Sequence, residues 1–265
     1  MIEHCSSADT PGGRLPVESW VPNARVRALF SLRRGGVSDG PYGELDGSGG
    51  LNLGSNTGDR PESVLENRAR LRAVLPAEPH WLTQVHGTNV HRFDAPAGQA
   101  SVVADASVTS SPGCVLAILT ADCLPVLFAD RSGRAVGAAH AGWRGLAGGV
   151  IEQTIGALAD LGVTAQDLSV CIGPGIGAAS YEVGHDVRKA FCDRDRAASA
   201  GFRPGRMQGK WLADLPLLAR QRLQAAGIAD IVGGEHCTYS DPVRFYSYRR
   251  DGQTGRMAST IWIVP

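Results

Sequence analysis

Neither sign of charge is in excess in this 265-residue chain: 26 Lys and Arg are matched by 26 Asp and Glu. A dedicated nucleic-acid binder ordinarily carries a basic surplus or stripe, so nucleic acid is not expected as a partner. Long apolar runs are missing too. Nothing approaches the roughly 18 consecutive apolar residues of a membrane span, so no membrane partner is expected either. The first residues, MIEHCSSADTPGG, hold no basic segment followed by an apolar one, the pattern of a secretory leader. Cysteine is scattered, at positions 5, 114, 123, 171, 192 and 237, with no CxxC pair. That spacing builds neither a disulfide framework nor a structural zinc finger, and it fits reduced thiols in a cytoplasmic protein. GPGIG at 173–177 lacks the GxGxxG spacing and contains Pro174, so it reads as a tight turn rather than a dinucleotide site. No repeat at the usual solenoid periods is present.

What is present is a chain with 43% apolar residues and enough length for a substantial core. Residues 1–24, polar and rich in Ser, Gly and Pro, read as a loose lead-in, and 25–265 as a single domain. RVRALFSL (25–32) reads as a strand. The following 33–59, full of Gly, Ser, Asp and Asn, is long for a loop inside a compact domain, and such loops are commonly functional. RPESVLENRARLRAVL (60–75) has helical spacing, Pro at its start and Asp59 placed to cap it. CVLAILTADCLPVLFAD (114–130) is two aliphatic runs broken at TADC, the pattern of buried strands meeting at a polar interruption. From Trp143, residues Leu146, Val150, Ile151, Ile155 and Leu158 follow a helical period ending near Gly162. Strands and helices mix without strict βαβ alternation. The fold class expected is therefore α+β, a single-domain layered α/β sandwich with mixed sheets.

Three polar interruptions cut apolar runs: TQVHG (83–87), TADC (120–123) and HAGWRG (140–145). If each ends a strand, His86, Cys123 and His140 can converge. Two imidazoles and a thiolate form a ligand set for catalytic zinc that leaves a fourth position open. Sulfur with imidazole also accepts copper, so ligand type does not choose the metal. On chemistry alone, packed core residues with satisfied polar atoms are the commoner account of these positions.

The blocks FSLRRGGVSDGPYGELDGSGGLNLGSNTGDRPESVLENR, TQVHG, LTADCLPVLFAD, AAHAGWRG, CIGPGIGAASYEVG and SYRRDGQTGRMASTIW occur in order from about residue 26 to 263. They resemble the successive signature blocks of the YfiH-like, laccase-domain family, formerly called polyphenol oxidase or multicopper-oxidase-like and later purine nucleoside phosphorylase. The resemblance implies an α+β sandwich and a zinc ion held by His86, Cys123 and His140. It implies phosphorolysis of adenosine, inosine, guanosine and methylthioadenosine, with adenosine deamination. Purine nucleoside and phosphate are then the small-molecule partners.

Against that background Arg144, one turn into a helix whose N-terminus also favours anions, reads as a phosphate clamp. Arg33 in SLRRGG and Arg249 or Arg250 in SYRRD are further cations for substrate. Asp122 and Glu182 are carboxylates that could shuttle protons in deamination. Gln84 can bond substrate or a neighbouring ligand, with a backbone cap as the alternative. Asn56 stands where many relatives have His, which leaves a substrate role there in question, and GELDGSGG is longer than the usual family linker. Two other classes stay open. One is a metal-free cysteine hydrolase with Cys123 as nucleophile and His140 or His86 as base, possible substrates being peptidoglycan precursors. The other is copper-linked phenol oxidation, which requires clustered copper sites that seven scattered histidines with no HxH pair do not build.

Overall fold

The computed structural model describes residues 3–10, 13–95 and 102–265. The chain begins with β1 (Glu3–Thr10), β2 (Gly13–Asn23), β3 (Val26–Ser31) and β4 (Arg34–Ser38), followed by α1 (Pro61–Arg72). Short strands β5 (Pro79–His80), β6 (Leu82–Thr83), β7 (Val90–Arg92), β8 (Val102–Val103) and β9 (Ala106–Thr109) lead to the central strands. These are β10 (Val115–Thr120), β11 (Leu124–Asp130) and β12 (Val136–Ala141), of which β11 and β12 form an antiparallel hairpin, and α2 (Trp143–Gly148) and α3 (Val150–Ala159) come next. β13 (Leu168–Ile172), β14 (Glu182–Val183), α4 (His185–Cys192), β15 (Phe202–Pro204) and β16 (Trp211–Ala213) follow. The chain closes with α5 (Leu215–Ala225), β17 (Asp230–Gly233), α6 (Tyr248–Asp251) and β18 (Met257–Ile263).

Two six-stranded mixed sheets carry the architecture, ordered β1-β2-β3-β18-β10-β5 and β17-β13-β11-β12-β9-β7. Side chains alternate across a strand, and the alternation assigns the layers. Val126 and Phe128 of β11 join Leu146, Ile151, Leu158, Leu218 and Leu223 in one core between the second sheet and the helices. Leu127 and Ala129, between them in sequence, meet Phe30, Leu116, Ile118 and Ile261 in a core between the two sheets. Val115 and Ala258, on the far side of the first sheet, pack with Leu51, Leu53 and Leu71 under α1. The result is the layered α/β sandwich with mixed sheets expected from the sequence. Strands buried on both faces explain why LPVLFAD and VGAAHA show no polar alternation.

Three local readings are corrected. Residues 13–23, read as part of a loose lead-in, form β2, whose Leu15, Val17 and Trp20 are buried and which pairs antiparallel with β3; an apolar side chain at every second or third position outweighed the polar composition. The helix expected to run from Trp143 to about Gly162 breaks at Gly149, which adopts φ +106 and donates its N–H to the carbonyls of Gly145 and Leu146. Asp59 does not cap α1, whose N-cap is Arg60. The Asp59 carboxylate instead accepts hydrogen bonds from Ser38 and Asn52, which pins the glycine-rich segment before the helix.

Candidate active site

The two sheets deliver their polar interruptions to one end. Antiparallel register sets Leu124 opposite Ala141 and Pro125 opposite His140, so Cys123 falls beside the end of β12. His86 arrives from the turn after β6. Among the described non-glycine residues only His86, at φ +60, and Asp122, at φ +104, occupy positive φ. These are strained conformations that side chains rarely adopt, concentrated where the three segments meet. The ligand atoms of His86, Cys123 and His140 all lie within 4.8 Å of one another. The Cys123 Sγ is 3.8 Å from His86 Nε2, and the two imidazole rings stand edge to face with centroids 4.7 Å apart. Burial is greatest at His140 and least at His86, so the group has a closed and an open side.

A fourth residue organises the three. Asp105 is fully buried, and its carboxylate accepts N–H groups from Val85 (3.1 Å), His86 (2.8 Å) and Gly87 (2.7 Å). The same carboxylate meets His140 Nδ1 at 2.8 Å. It thereby shapes the turn carrying His86 and holds Nδ1 of His140 protonated, leaving Nε2 as the nitrogen that can ligate a metal once it gives up its proton. Asp105 was not picked out from the sequence. The signal was present all the same: VVADASV is an apolar run with one acid inside it, the criterion that found the other three.

Electrostatics follow from this packing. Burial opposes ionisation of the Cys123 thiol, but the facing His140 and His86 imidazoles outweigh it and lower the thiol to about 6. Burial likewise disfavours charge on His140, and the Cys123 thiolate with the Asp105 carboxylate reverses this, raising it to about 9. At neutral pH the pair is thiolate and imidazolium. Two imidazoles, a thiolate and a carboxylate behind one imidazole are the donor set of a borderline-soft divalent cation. Among the described residues this is the one group of three such side chains able to hold a metal.

Gly142 and Gly145 of HAGWRG serve this packing by close approach. A Cβ on Gly142 would lie 2.8 Å from His86 Cδ2 and 2.9 Å from Cys123 Sγ, and one on Gly145 would lie 2.7 Å from the Gly87 carbonyl. Gly142 itself has φ −66, open to any residue.

The open side of the group faces a cavity of about 950 Å³. Arg144, Arg249, Asn56, Gln84 and Asp122 border it together with the three ligand candidates, so the fold brings most of the expected site residues together. Their roles separate on inspection. Arg144 is exposed and stacks on the Trp143 ring at 4.5 Å. Arg249 stacks on Tyr181 at 4.9 Å and donates from Nη1 to the Glu182 carbonyl. Gln84 is committed to the backbone: its amide and carbonyl bond the Leu119 carbonyl and N–H at 2.9 and 2.8 Å. Asp122 accepts from Thr238 Oγ1 at 2.7 Å and from the Arg249 N–H at 2.6 Å, so its carboxylate fixes the start of α6.

Three expected residues lie outside the cavity. Glu182 turns its carboxylate to the Arg206 N–H at 2.7 Å. Arg33 is 6% exposed, with Nε on the Gly43 carbonyl and its guanidinium over the Tyr246 ring, so it ties loops together. Arg250 does the same with the carbonyls of Thr238, Tyr239 and Phe245. Conversely, the cavity includes Trp143, Tyr181, Tyr248 and Arg256, none of them assigned to substrate from the sequence.

The profile of the multi-copper polyphenol oxidoreductase laccase family matches residues 27–264. A Pseudomonas aeruginosa protein named purine nucleoside phosphorylase is 48% identical over 244 residues, covering 92% of this chain and 96% of that one. Purine nucleoside phosphorylase YfiH of Escherichia coli is 48% identical over 253 residues, 95% of this chain and 99% of its own. Among solved structures, a Neisseria meningitidis protein of the DUF152 family superposes with a TM-score of 0.85 at 42% identity, covering 99% of this chain and all of that one. YlmD of Geobacillus stearothermophilus superposes with a TM-score of 0.83 at 31% identity, covering 93% and 94%. Sequence and fold agree along nearly the whole length, and the chain belongs to the YfiH-like, laccase-domain family.

Proposed function

We propose that the protein is a zinc-dependent purine nucleoside phosphorylase acting on adenosine, inosine, guanosine and methylthioadenosine, with adenosine deamination as a secondary activity. The observation that carries this reading is the His86, Cys123 and His140 group opening into a cavity where Arg144, Arg249 and Arg256 pair with no carboxylate among the described residues. A phosphorolytic site must hold an anion next to a sugar carbon that becomes cationic as its glycosidic bond loosens. Unpaired guanidiniums suit the first need. Rings of Trp143, Tyr181 and Tyr248 give a planar base surfaces to lie against. A zinc ion bound here supplies Lewis acidity and a lowered pKa for bound water.

The fixed carboxylates favour phosphorolysis over deamination in this reading. Deamination requires a carboxylate free to move protons, and Asp122 is bonded to Thr238 and Arg249 while Glu182 faces Arg206. The names of the relatives at 48% identity support the same order. Copper is accommodated by the same donors, but phenol oxidation of the multicopper type needs further copper sites. Cys114, Cys123, Cys171, Cys192 and Cys237 are all free, in keeping with a cytoplasmic location, and no described helix is long and apolar enough to cross a membrane.

The test uses protein of defined metal content with inosine and adenosine, with and without phosphate, following every product. Phosphate-dependent release of hypoxanthine from inosine, lost on metal removal, is the expected result. Full turnover by metal-free protein, or by Cys123→Ala, refutes the reading. A second reading rests on the succession Asp105, His140, Cys123 and the lowered thiol, the parts of a nucleophilic cysteine site. It predicts alkylation of Cys123 by iodoacetamide at equal rates before and after chelation. A metal-bound thiolate reacts only after the chelator is added.

A further inference from the structure

Arg256 is a cavity-lining cation held in a constrained setting. Its backbone is held on both sides by one turn: its N–H donates to Asn52 Oδ1 at 2.9 Å, and its carbonyl accepts from the Leu53 N–H at 3.1 Å. The side chain then passes over Gly54, where a Cβ would stand 2.8 Å from Arg256 Cγ, so the absence of a side chain there opens the path. At the far end Nη1 donates to the carbonyls of Thr254 (2.9 Å) and Gly255 (3.0 Å), and the guanidinium lies 5.9 Å from the Tyr248 ring centre. Nε and Nη2 have no acceptor among the described residues, and no carboxylate pairs with the group. Burial lowers its pKa, with the charges of Cys123 and Asp122 acting in the opposite sense, which places the guanidinium within electrostatic reach of the candidate metal centre.

Arg144 and Arg249 differ from it. Both are exposed, and the Arg144 side chain makes no hydrogen bond among the described residues. A charge that must be in place before substrate arrives is better supplied by the anchored residue, because less side-chain entropy is lost on binding. A half-buried guanidinium with a free two-nitrogen edge, facing a cavity, is matched by a tetrahedral oxyanion accepting two parallel hydrogen bonds.

We propose that Arg256 is the fixed anchor of an inorganic phosphate subsite in this cavity, with Arg144 closing over the anion from the exposed side. The assignment rests on the phosphorolytic reading for its biological use, but the subsite itself is a binding claim. It also gives a purpose to the Asn52–Gly54 turn, which holds the Arg256 backbone through the Asn52 side chain and the Leu53 N–H and leaves room for its stem.

The experiment titrates inorganic phosphate, with sulfate in parallel, into the metal-loaded full-length protein by calorimetry, for wild type, Arg256→Gln and Arg256→Lys. Steady-state KM values for phosphate and for inosine are measured on the same preparations. Arg256→Gln is expected to raise the phosphate Kd and the phosphate KM at least tenfold, with inosine KM changed less than threefold and metal content unchanged. Arg256→Lys, which keeps the charge without the fork, is expected to fall between. If Arg256→Gln does not fold, Arg256→Lys decides: a phosphate KM and Kd within twofold of wild type overturn the proposal. Phosphorolysis by Arg256→Gln with wild-type phosphate KM overturns the subsite and leaves the functional reading standing. Phosphate bound by wild type in an Arg256-dependent way, without phosphorolysis, does the reverse.

Discussion

Replacing Asp105 by Asn tests whether this carboxylate builds the centre. Its Oδ1 accepts from the His86 N–H at 2.8 Å and faces His140 Nδ1 at 2.8 Å, while Oδ2 accepts from Val85 at 3.1 Å and Gly87 at 2.7 Å. An amide has one oxygen, so whichever way it turns, its NH2 confronts two donors. With the oxygen at the Oδ1 position, the N–H groups of Val85 and Gly87 lose their acceptor and the turn carrying His86 loosens. With the oxygen at the Oδ2 position, His140 Nδ1 loses its partner and nothing holds the tautomer that frees Nε2. Each orphaned donor costs roughly 1–3 kcal/mol when buried. The turn is partly solvated, so the low end applies and the expected loss of stability is about 2 kcal/mol. Removing a group behind a metal-binding histidine typically costs 10–100-fold in metal affinity. Urea unfolding of the metal-free protein and competition for zinc against a chromophoric chelator measure the two effects separately. Stability within about 0.5 kcal/mol of wild type together with zinc affinity within about threefold would refute the assignment of Asp105, by the same magnitudes.

Gly142→Ala inserts a methyl against both His86 and Cys123, and overpacking of that kind costs about 1–3 kcal/mol; metal stoichiometry by elemental analysis is expected to fall well below that of wild type. Metal uptake is expected to release a proton between about pH 6 and about pH 9, because the thiol is already ionised there while the raised His140 still holds its proton. Apparent zinc affinity therefore rises about tenfold per pH unit across that window, and a flat profile from 6.5 to 8.5 in buffered chelator competition contradicts the thiolate–imidazolium pair. Arg144→Gln is expected to raise the phosphate KM while metal content stays constant, measured by initial rates and elemental analysis. Glu182→Gln, whose carboxylate bonds Arg206 outside the cavity, leaves kcat and both KM values within about twofold, the expectation for a surface hydrogen bond.

Much of the site was legible because a polar residue inside an apolar strand is costly unless something uses it. His86, Cys123 and His140 each end such a run, and the fold collects all three within 4.8 Å. Asp105 obeyed the same rule and was passed over, because it lacks the soft or imidazole ligand chemistry that drew attention to the others. The arginines were harder. Sequence makes Arg33, Arg249, Arg250 and Arg256 equivalent, each a cation in a glycine-rich loop. Only packing shows that Arg33 and Arg250 spend their donors on loop carbonyls while Arg249 and Arg256 line the cavity.

By itself the sequence determined the layered α+β class and the strands of the core, because both depend on local apolar pattern, and with the family resemblance it singled out three candidate ligand positions. Tertiary structure alone decided the rest. Antiparallel register places Cys123 beside His140 although 17 residues separate them. The positive φ of His86 and Asp122 is sustained by contacts from distant segments, among them the Asp105 carboxylate and Thr238. Which arginine remains available to an anion depends on acceptors contributed by loops far away in sequence, and no local pattern encodes that choice.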